Sequence, residues 1–424
     1  MEALHAALHY DADYLAASET RAVDSEASKQ GQALFRPKLQ VQAGASWAGG
    51  SMDVTVPAQL SSLVKRDFEG GSRTASVQFS QPLYDAAASA QARQLKEKGR
   101  AAQTSFSAER QALMLRVADA VFDLMAADDA VDLARSQKAA LQKERAQAQA
   151  RFVAGNARIT DLRESQAQYD QVSASEIALL AQREVAASHY QAVTGLEPPV
   201  GAPRAMSLEP VLPEGTLVDW QSQAESQSPS VVGAGHALAS ARAAVDQYRW
   251  SGRPRVSAVG GYYGSWMDSG AGQILNPSAS SNYSIGVQAS MPLVTGGYYS
   301  SELRAALASV RKAEHDLDSA RRSARVSAEQ AWLGVTSGAS RIGALRAALV
   351  SAELQQKAAI TGRDLALRTQ SDVLNAQSLV YSTRQQLNQA IYDYEKSRLR
   401  LAAAAGRLSD DVVSQVDSDF GPST

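Results

Sequence analysis

The residues that could carry chemistry are few: five histidines, no cysteine, and two aspartates set in nearly the same phrase. His5 and His9 stand four apart, the spacing with which zinc-protease helices present two imidazoles to a metal. Those helices need a glutamate after the first histidine, and Ala6 stands there. No third ligand accompanies the pair, so no metal site is expected. His189, His236 and His315 are isolated along the chain. Without cysteine there can be no disulfide, thiolate metal site, cysteine nucleophile or lipid on a mature N-terminal cysteine. Gly270-Ala271-Gly272 lacks the Lys-Ser/Thr that follows a phosphate loop. No nucleophile–base pair emerges, so neither an enzyme nor a cofactor is expected. What remains is Asp161 in "RITDLRESQAQYD" (158–170) and Asp372 in "TQSDVLNAQSLVY" (369–381). Each sits in the first turn of a helix, where a carboxylate near the positive end of the macrodipole contributes about 0.3–1 kcal/mol. Taken alone, both are cap-region residues.

The elements that position these aspartates come in two copies. "VQFSQPL" (77–83) is echoed by "VQASMPL" (287–293), and "FRPKLQVQAGASW" (35–47) by "GRPRVSAVGGYYG" (252–264). Gly195 and Gly406 each close a long helical stretch. Matches in one order at near-constant spacing indicate an internal repeat. The expected organisation is a first repeat over 1–194, a connector over 195–215, a second repeat over 216–408 and a tail over 409–424. The connector holds five of the 13 prolines and cannot be a regular helix. Each repeat reads as helix, strand, strand, long helix, turn, helix. Helical periodicity covers 2–34, strands are expected at 38–47 and 73–84, and residues 86–153 form one proline-free helix. "AGNAR" (154–158) is a turn, and Thr160 is expected to cap a helix that runs to Gly195. The second copy has a helix to about 250, strands near 254–266 and 282–293, a helix over 298–361 and another over 371–405. The helix 86–153 should span about 100 Å at ~1.5 Å per residue. Helices 2–34 and 159–194 end to end cover about the same distance, so each repeat is expected to make one continuous and one broken column.

A formal net charge of −2 argues against nucleic-acid binding. No apolar run of 18 residues exists, so no membrane-spanning helix is expected. Met1-Glu2-Ala3-Leu4-His5 opens directly into an amphipathic pattern rather than a signal peptide. The expectation is a cytosolic protein or an exported one numbered after removal of its signal. The strands alternate strictly: Leu39, Val41, Ala43, Ala45 and Trp47 against Gln40, Gln42, Gly44 and Ser46; Tyr283, Ile285 and Val287 against Ser284, Gly286 and Gln288. Alternation of this kind fits a soluble sheet packed on helices. It also fits a membrane barrel with an apolar outer face and a polar lumen. Trp47, Tyr84, Tyr262, Tyr263, Trp266, Tyr283, Tyr298 and Tyr299 cluster at strand ends, as aromatic girdles would. Four strands cannot close a membrane barrel, which needs at least about eight, so the barrel reading forces oligomerisation.

With the repeated order of elements, Pro82-Leu83 and Pro292-Leu293 at the strand ends, and the segments 151–170 and 368–378, the chain resembles the TolC family of outer-membrane channel-tunnels of Gram-negative bacteria over its whole length. The resemblance implies a mainly α fold with a β-barrel: a homotrimer whose 12-stranded transmembrane barrel continues as an α-helical periplasmic barrel. It implies a periplasmic gate made by Thr160, Asp161 and Arg368, and a selectivity ring at Asp372. The second ring position holds Asn375, and Arg363 stands near the place of a latching tyrosine. Gly155, Asn156 and Gly362 would lie in turns that contact an adaptor, and Trp47, Tyr84, Tyr262, Trp266 and Tyr283 in the girdle. Implied partners are a periplasmic adaptor, an inner-membrane transporter, of ABC rather than proton-driven type, and outer-membrane lipid. The expected function is a passive export duct, with absence of an N-terminal cysteine pointing to type I protein secretion. The alternatives are a multidrug efflux outlet and a soluble helical scaffold without a pore.

Overall fold

The structure is a computed structural model that describes residues 1–51, 67–199, 209–270, 278–365 and 367–419. The elements run α1 (Glu2–Tyr10), α2 (Ala12–Ala33), β1 (Lys38–Ser51), β2 (Asp67–Tyr84), α3 (Ala86–Val153), α4 (Ile159–Thr194), α5 (Leu217–Gln227), α6 (Pro229–Arg249), β3 (Arg255–Gly270), β4 (Ser278–Ser290), α7 (Tyr298–Asp364), α8 (Gln370–Ala404) and α9 (Asp410–Asp419). Two compact units each draw on both halves of the chain. One comprises residues 1–22, 101–235 and 316–424, and the other 23–100 and 236–315.

The first unit is helical. Buried positions in α3 recur every seven residues, at Val117, Leu124 and Val131 and again at Ala134, Leu141 and Ala148. The same spacing appears in α7 at Ala328, Val335 and Ile342. A seven-residue repeat keeps one seam facing a neighbouring helix, as in coiled coils. One core cluster joins Leu4, Leu113, Val117, Phe122, Tyr392 and Leu399, and another joins Val335, Ile342, Ile391, Tyr394 and Leu401. The Tyr394 hydroxyl donates to the Val211 carbonyl at 2.7 Å and accepts the Val211 N–H at 2.9 Å, fixing the chain just before α5. Residues 200–208 of the expected connector, and 420–424 of the expected tail, lie outside the described residues.

Two expectations change here. The helix read over 2–34 breaks at Asp11, because the Asp11 carboxylate accepts the Tyr14 N–H at 2.8 Å and so starts a new helix. Arg116 of α3 holds the same carboxylate at 2.9 Å. The tail expected after 409 contains α9, whose Val416 is buried against Leu4 and Leu408 in the main core cluster.

The second unit holds an antiparallel sheet in the order β1-β2-β3-β4. Its strands run four to six residues longer than the alternation suggested at all four outer ends, while β4 stops at Ser290 rather than 293. The register aligns side chains into rows. Leu39, Phe79, Gly260 and Ile285 form one row, and Val41, Val77, Tyr262 and Tyr283 the next. On the opposite face, Gln40, Gln78, Gly261 and Ser284 share a row, followed by Gln42, Ser76, Tyr263 and Asn282. The four strands therefore share one apolar and one polar face. The apolar face is uncovered: Leu39 is 69% exposed, Tyr283 87% and Ile285 92%. The polar face lines a hollow bordered by Ser76, Gln78, Asn282, Ser284 and Gln288.

Gly195 and Gly406, read as helix ends, both have left-handed backbones, with φ of 71° and 70°. A side chain at Gly406 would also run into the backbone carbonyl of Gln227, whereas Gly155 (φ 76°) has open space around it. Left-handed non-glycine residues cost about 1–3 kcal/mol. Gly406→Ala is expected to lower the thermal midpoint clearly more than Gly155→Ala, measured side by side. Equal shifts would mean that the Gln227 contact carries no weight.

Candidate functional site

The two aspartates singled out by sequence hold equivalent places at the starts of α4 and α8. In α8 the arrangement is reciprocal. The Thr369 N–H and hydroxyl donate to Asp372 Oδ2 at 2.8 and 2.9 Å, and the Asp372 N–H returns a 3.1 Å bond to Thr369 Oγ1. These bonds, the backbone N–H first and the hydroxyl next, hold the Asp372 carboxyl below the usual range, and nearby Arg368 adds to the effect. In α4 the N-cap is Arg158, not the expected Thr160. Asp161 Oδ2 accepts the Arg158 N–H at 3.2 Å, but an arginine side chain has no acceptor with which to answer. Thr160 lies two positions further into the helix and is exposed.

The turns themselves are tightly closed. Gly155 N–H reaches the Phe152 carbonyl at 3.0 Å and Asn156 N–H the Arg151 carbonyl at 2.8 Å, a left-handed glycine closure of α3. After α7, the N–H groups of Leu367 and Arg368 both reach the Gly362 carbonyl, at 2.7 and 3.1 Å. Gly362, expected in the turn, lies in the last turn of α7 instead. Its lack of a side chain lets the stem of Arg368 lie across it, since a Cβ there would fall 2.6 Å from Arg368 Cγ. Asn375 is exposed one helical turn beyond Asp372. Within one chain no hydrogen bond or ion pair joins Thr160 or Asp161 to Arg368.

The bond that does tie the turns together was missed. Arg363, with its side chain only 9% exposed, donates to Glu144 Oε2 at 2.7 Å and to Gln370 Oε1 at 3.3 Å. Gln370 Nε2 donates to the same Glu144 oxygen at 3.2 Å. Arg151 reaches Asp364 at 3.3 Å beside them. Residues of α3, α7 and α8 thus meet in one charged cluster. A signal was available: Glu144 and Arg151 are seven apart, on the stripe flanking buried Leu141 and Ala148. Further polar bonds join α3 to α8. Lys396 binds Asp123 at 2.6 Å, Arg400 binds Asp119 at 3.1 Å, and the Tyr392 hydroxyl donates to Asp129 at 2.7 Å. Burial pushes the Asp129 carboxyl up, against the Tyr392 bond.

In the sheet, Trp47, Tyr84, Tyr262, Trp266 and Tyr283 are all exposed. Tyr262 and Tyr283 are cross-strand partners in mid-sheet. Trp266 faces Arg73 in one row, Trp47 lies in the next row with Gly71 and Asp268, and Tyr84 pairs with Val256 at the far end. His5 and His9 have no companion ligand, and among the described residues no group of three metal-binding side chains occurs. No helix among them is long and apolar enough to cross a membrane.

Comparison with known proteins follows the same pattern. The sequence profile of the outer membrane efflux protein family matches residues 3–196 and 220–407. The alkaline protease secretion protein AprF of Pseudomonas aeruginosa is 28% identical over 436 residues, covering 99% of this chain and 87% of that protein. The outer membrane protein TolC of Vibrio cholerae is 28% identical over 357 residues, covering 81% of this chain and 79% of that protein. Among solved structures, the Campylobacter jejuni CmeC outer membrane channel superposes with a TM-score of 0.79 at 15% identity, covering 99% of this chain and 88% of that one.

The Arg363–Glu144 pair generates a test. Removing Arg363 leaves the Glu144 carboxylate only the Gln370 amide, at about 1–3 kcal/mol, whereas removing Glu144 leaves Arg363 its 3.2 Å bond to Asp364 and costs less. Arg363→Met and Glu144→Leu are each expected to speed amide exchange across 360–372, and the double variant to exchange far more slowly than the two effects added together. Simple additivity would show that the two groups do not stabilise one another.

Proposed function

Because the chain belongs to the outer membrane efflux protein family, we propose that it is the outer-membrane duct of a type I protein-secretion system. Its outer-membrane setting leaves no place for the soluble-scaffold alternative. The observation that carries the reading is the sheet, apolar on its uncovered face and polar on its hollow face. A soluble sheet buries its apolar face against a second layer, whereas a membrane barrel turns that face to lipid and encloses the polar one. From Val256 to Trp266 the apolar rows extend ten residues along β3. That is about 34 Å of strand, or about 26 Å of height at a ~40° tilt, close to the thickness of an apolar barrel band.

Four strands with free edges at β1 and β4 need further copies, and three copies give the 12 strands of a barrel. In this reading the helices extend the duct into the periplasm. Substrate crosses without chemistry, and the α3–α4 and α7–α8 turns receive a periplasmic adaptor and an ABC-type inner-membrane transporter. Thr160, Asp161 and Arg368 hold the entrance closed between neighbouring copies, and three Asp372 carboxylates attract cations at its mouth. Trp47, Tyr84 and Trp266 mark the borders of the lipid band. Type I secretion is favoured over drug efflux because a relative named for protease secretion aligns with nearly the whole chain.

Neighbouring residues on opposite faces give a direct test. Ile285→Lys is expected to cost about 2–4 kcal/mol in the membrane-inserted state and Ser284→Lys little, read from recovery of detergent-resistant trimers. Equal tolerance of the two, or a monomer in detergent, would end the barrel reading. In planar bilayers Arg368→Ser should raise single-channel conductance; an unchanged value would remove Arg368 from the gate. Deleting the gene in its host should abolish export of a secreted protein and leave drug susceptibility unchanged; the reverse result would assign an efflux outlet.

A further inference from the structure

We propose that the strand section of the duct is indifferent to the sign of charge, so that it passes extended polypeptide of acidic or basic composition alike. This rests on the export-duct reading, which makes the polar face of the sheet the lining of the passage. The two central rows of that face hold Gln40, Gln78, Gly261 and Ser284, then Gln42, Ser76, Tyr263 and Asn282. Towards the outer end come Thr74 opposite Gly44, then Ser46 and Ser72, whose hydroxyls bond to each other at 2.8 Å. Among the described residues this face carries no carboxylate. Its cations, Lys38 and Arg255, stand at the margin where the strands begin. Arg255 is also within 3.7 Å of Asp85 there.

Such a wall has a definite chemical consequence. Rings of charged side chains set the sign preference of a pore, because they attract one sign and repel the other. Here the polar lining groups are amides and hydroxyls, each able both to donate and to accept a hydrogen bond, beside the uncharged Val259 and Met267. They can exchange bonds with peptide N–H and C=O groups sliding past, and they hold no fixed charge against which a run of lysines or glutamates could stall. Glycines at 44, 261 and 286 leave this face without side chains at three further positions.

The test uses the trimer in a planar bilayer at about 0.1 M salt, where charges act over about 10 Å. Two unstructured Gly/Ser peptides of equal length, one carrying lysines and one carrying glutamates, are added on the barrel side. Each is driven inward by voltage of the matching polarity. The frequency of transient current blockades should agree between them within about threefold, whereas Gln78→Glu, a change of charge with little change of shape, should favour the lysine peptide by about tenfold or more and Gln78→Lys the glutamate peptide. A wild-type preference of tenfold that the Gln78 variants shift would overturn the proposal, because this wall would then already read the sign. Open channels that admit neither peptide would also overturn it while leaving a duct in place. Absence of any channel would instead bring down the export-duct reading on which it rests.

Discussion

Everything else in this molecule follows from a sheet that keeps its apolar side uncovered. Ile285, Tyr283, Leu39 and Val41 stand in aligned rows with no protein layer over them. Lipid can satisfy such side chains, but it offers nothing to the N–H and C=O groups along the free edges of β1 and β4. Edge groups in lipid must pair with another strand, so a four-stranded sheet of this kind is a fragment of a closed ring. The order of strands supplies the means. β2 and β3 already join the first hairpin to the second within the chain. Pairing β4 of one copy with β1 of the next repeats that junction between hairpins, head to tail, until the ring closes.

The helical unit solves a different problem, that of keeping very long helices in register. The seven-residue seams of α3 and α7 provide close packing, but small residues such as Ala134, Ala148 and Ala328 give little resistance to sliding. Directional bonds add what alanine lacks. Lys396 to Asp123, Arg400 to Asp119 and Tyr392 to Asp129 pin α8 along α3, and Arg363 to Glu144 pins the end of α7. The Asp129 bond bears most on specificity, because a buried carboxyl without Tyr392 would be costly in any slipped register.

Much of this was legible in the sequence, because the governing patterns are periodic and local. The period-two alternation placed the strands and separated their faces, and a run without proline marked α3 from end to end. The glycines at 195 and 406 were legible because a left-handed helix end selects glycine. What escaped depends on contacts between distant residues. Asp11 breaks a helix that periodicity alone carries straight through, since its carboxylate is held by Arg116 from another element. Gln370 and Glu144 gain their meaning only when α3 and α8 are brought to Arg363. Thr160 looked like a cap by residue type, yet the helix starts two residues sooner, where the Asp161 carboxylate supplies the bond to the backbone.

The two copies of the opening phrase have diverged where divergence has physical consequences. Asp372 is fixed by three bonds with Thr369, which orient its carboxylate and keep it ionised to lower pH. Asp161 has one backbone bond, longer, from a residue whose side chain cannot answer it. A carboxylate held by its own helix is suited to a fixed field, whereas one held weakly keeps lone pairs for a partner on another chain. On that ground the second copy fits a permanent charged mouth and the first a contact that can be made and broken. Arg363 and Glu144, by contrast, form an interaction inside one chain that keeps the turns together.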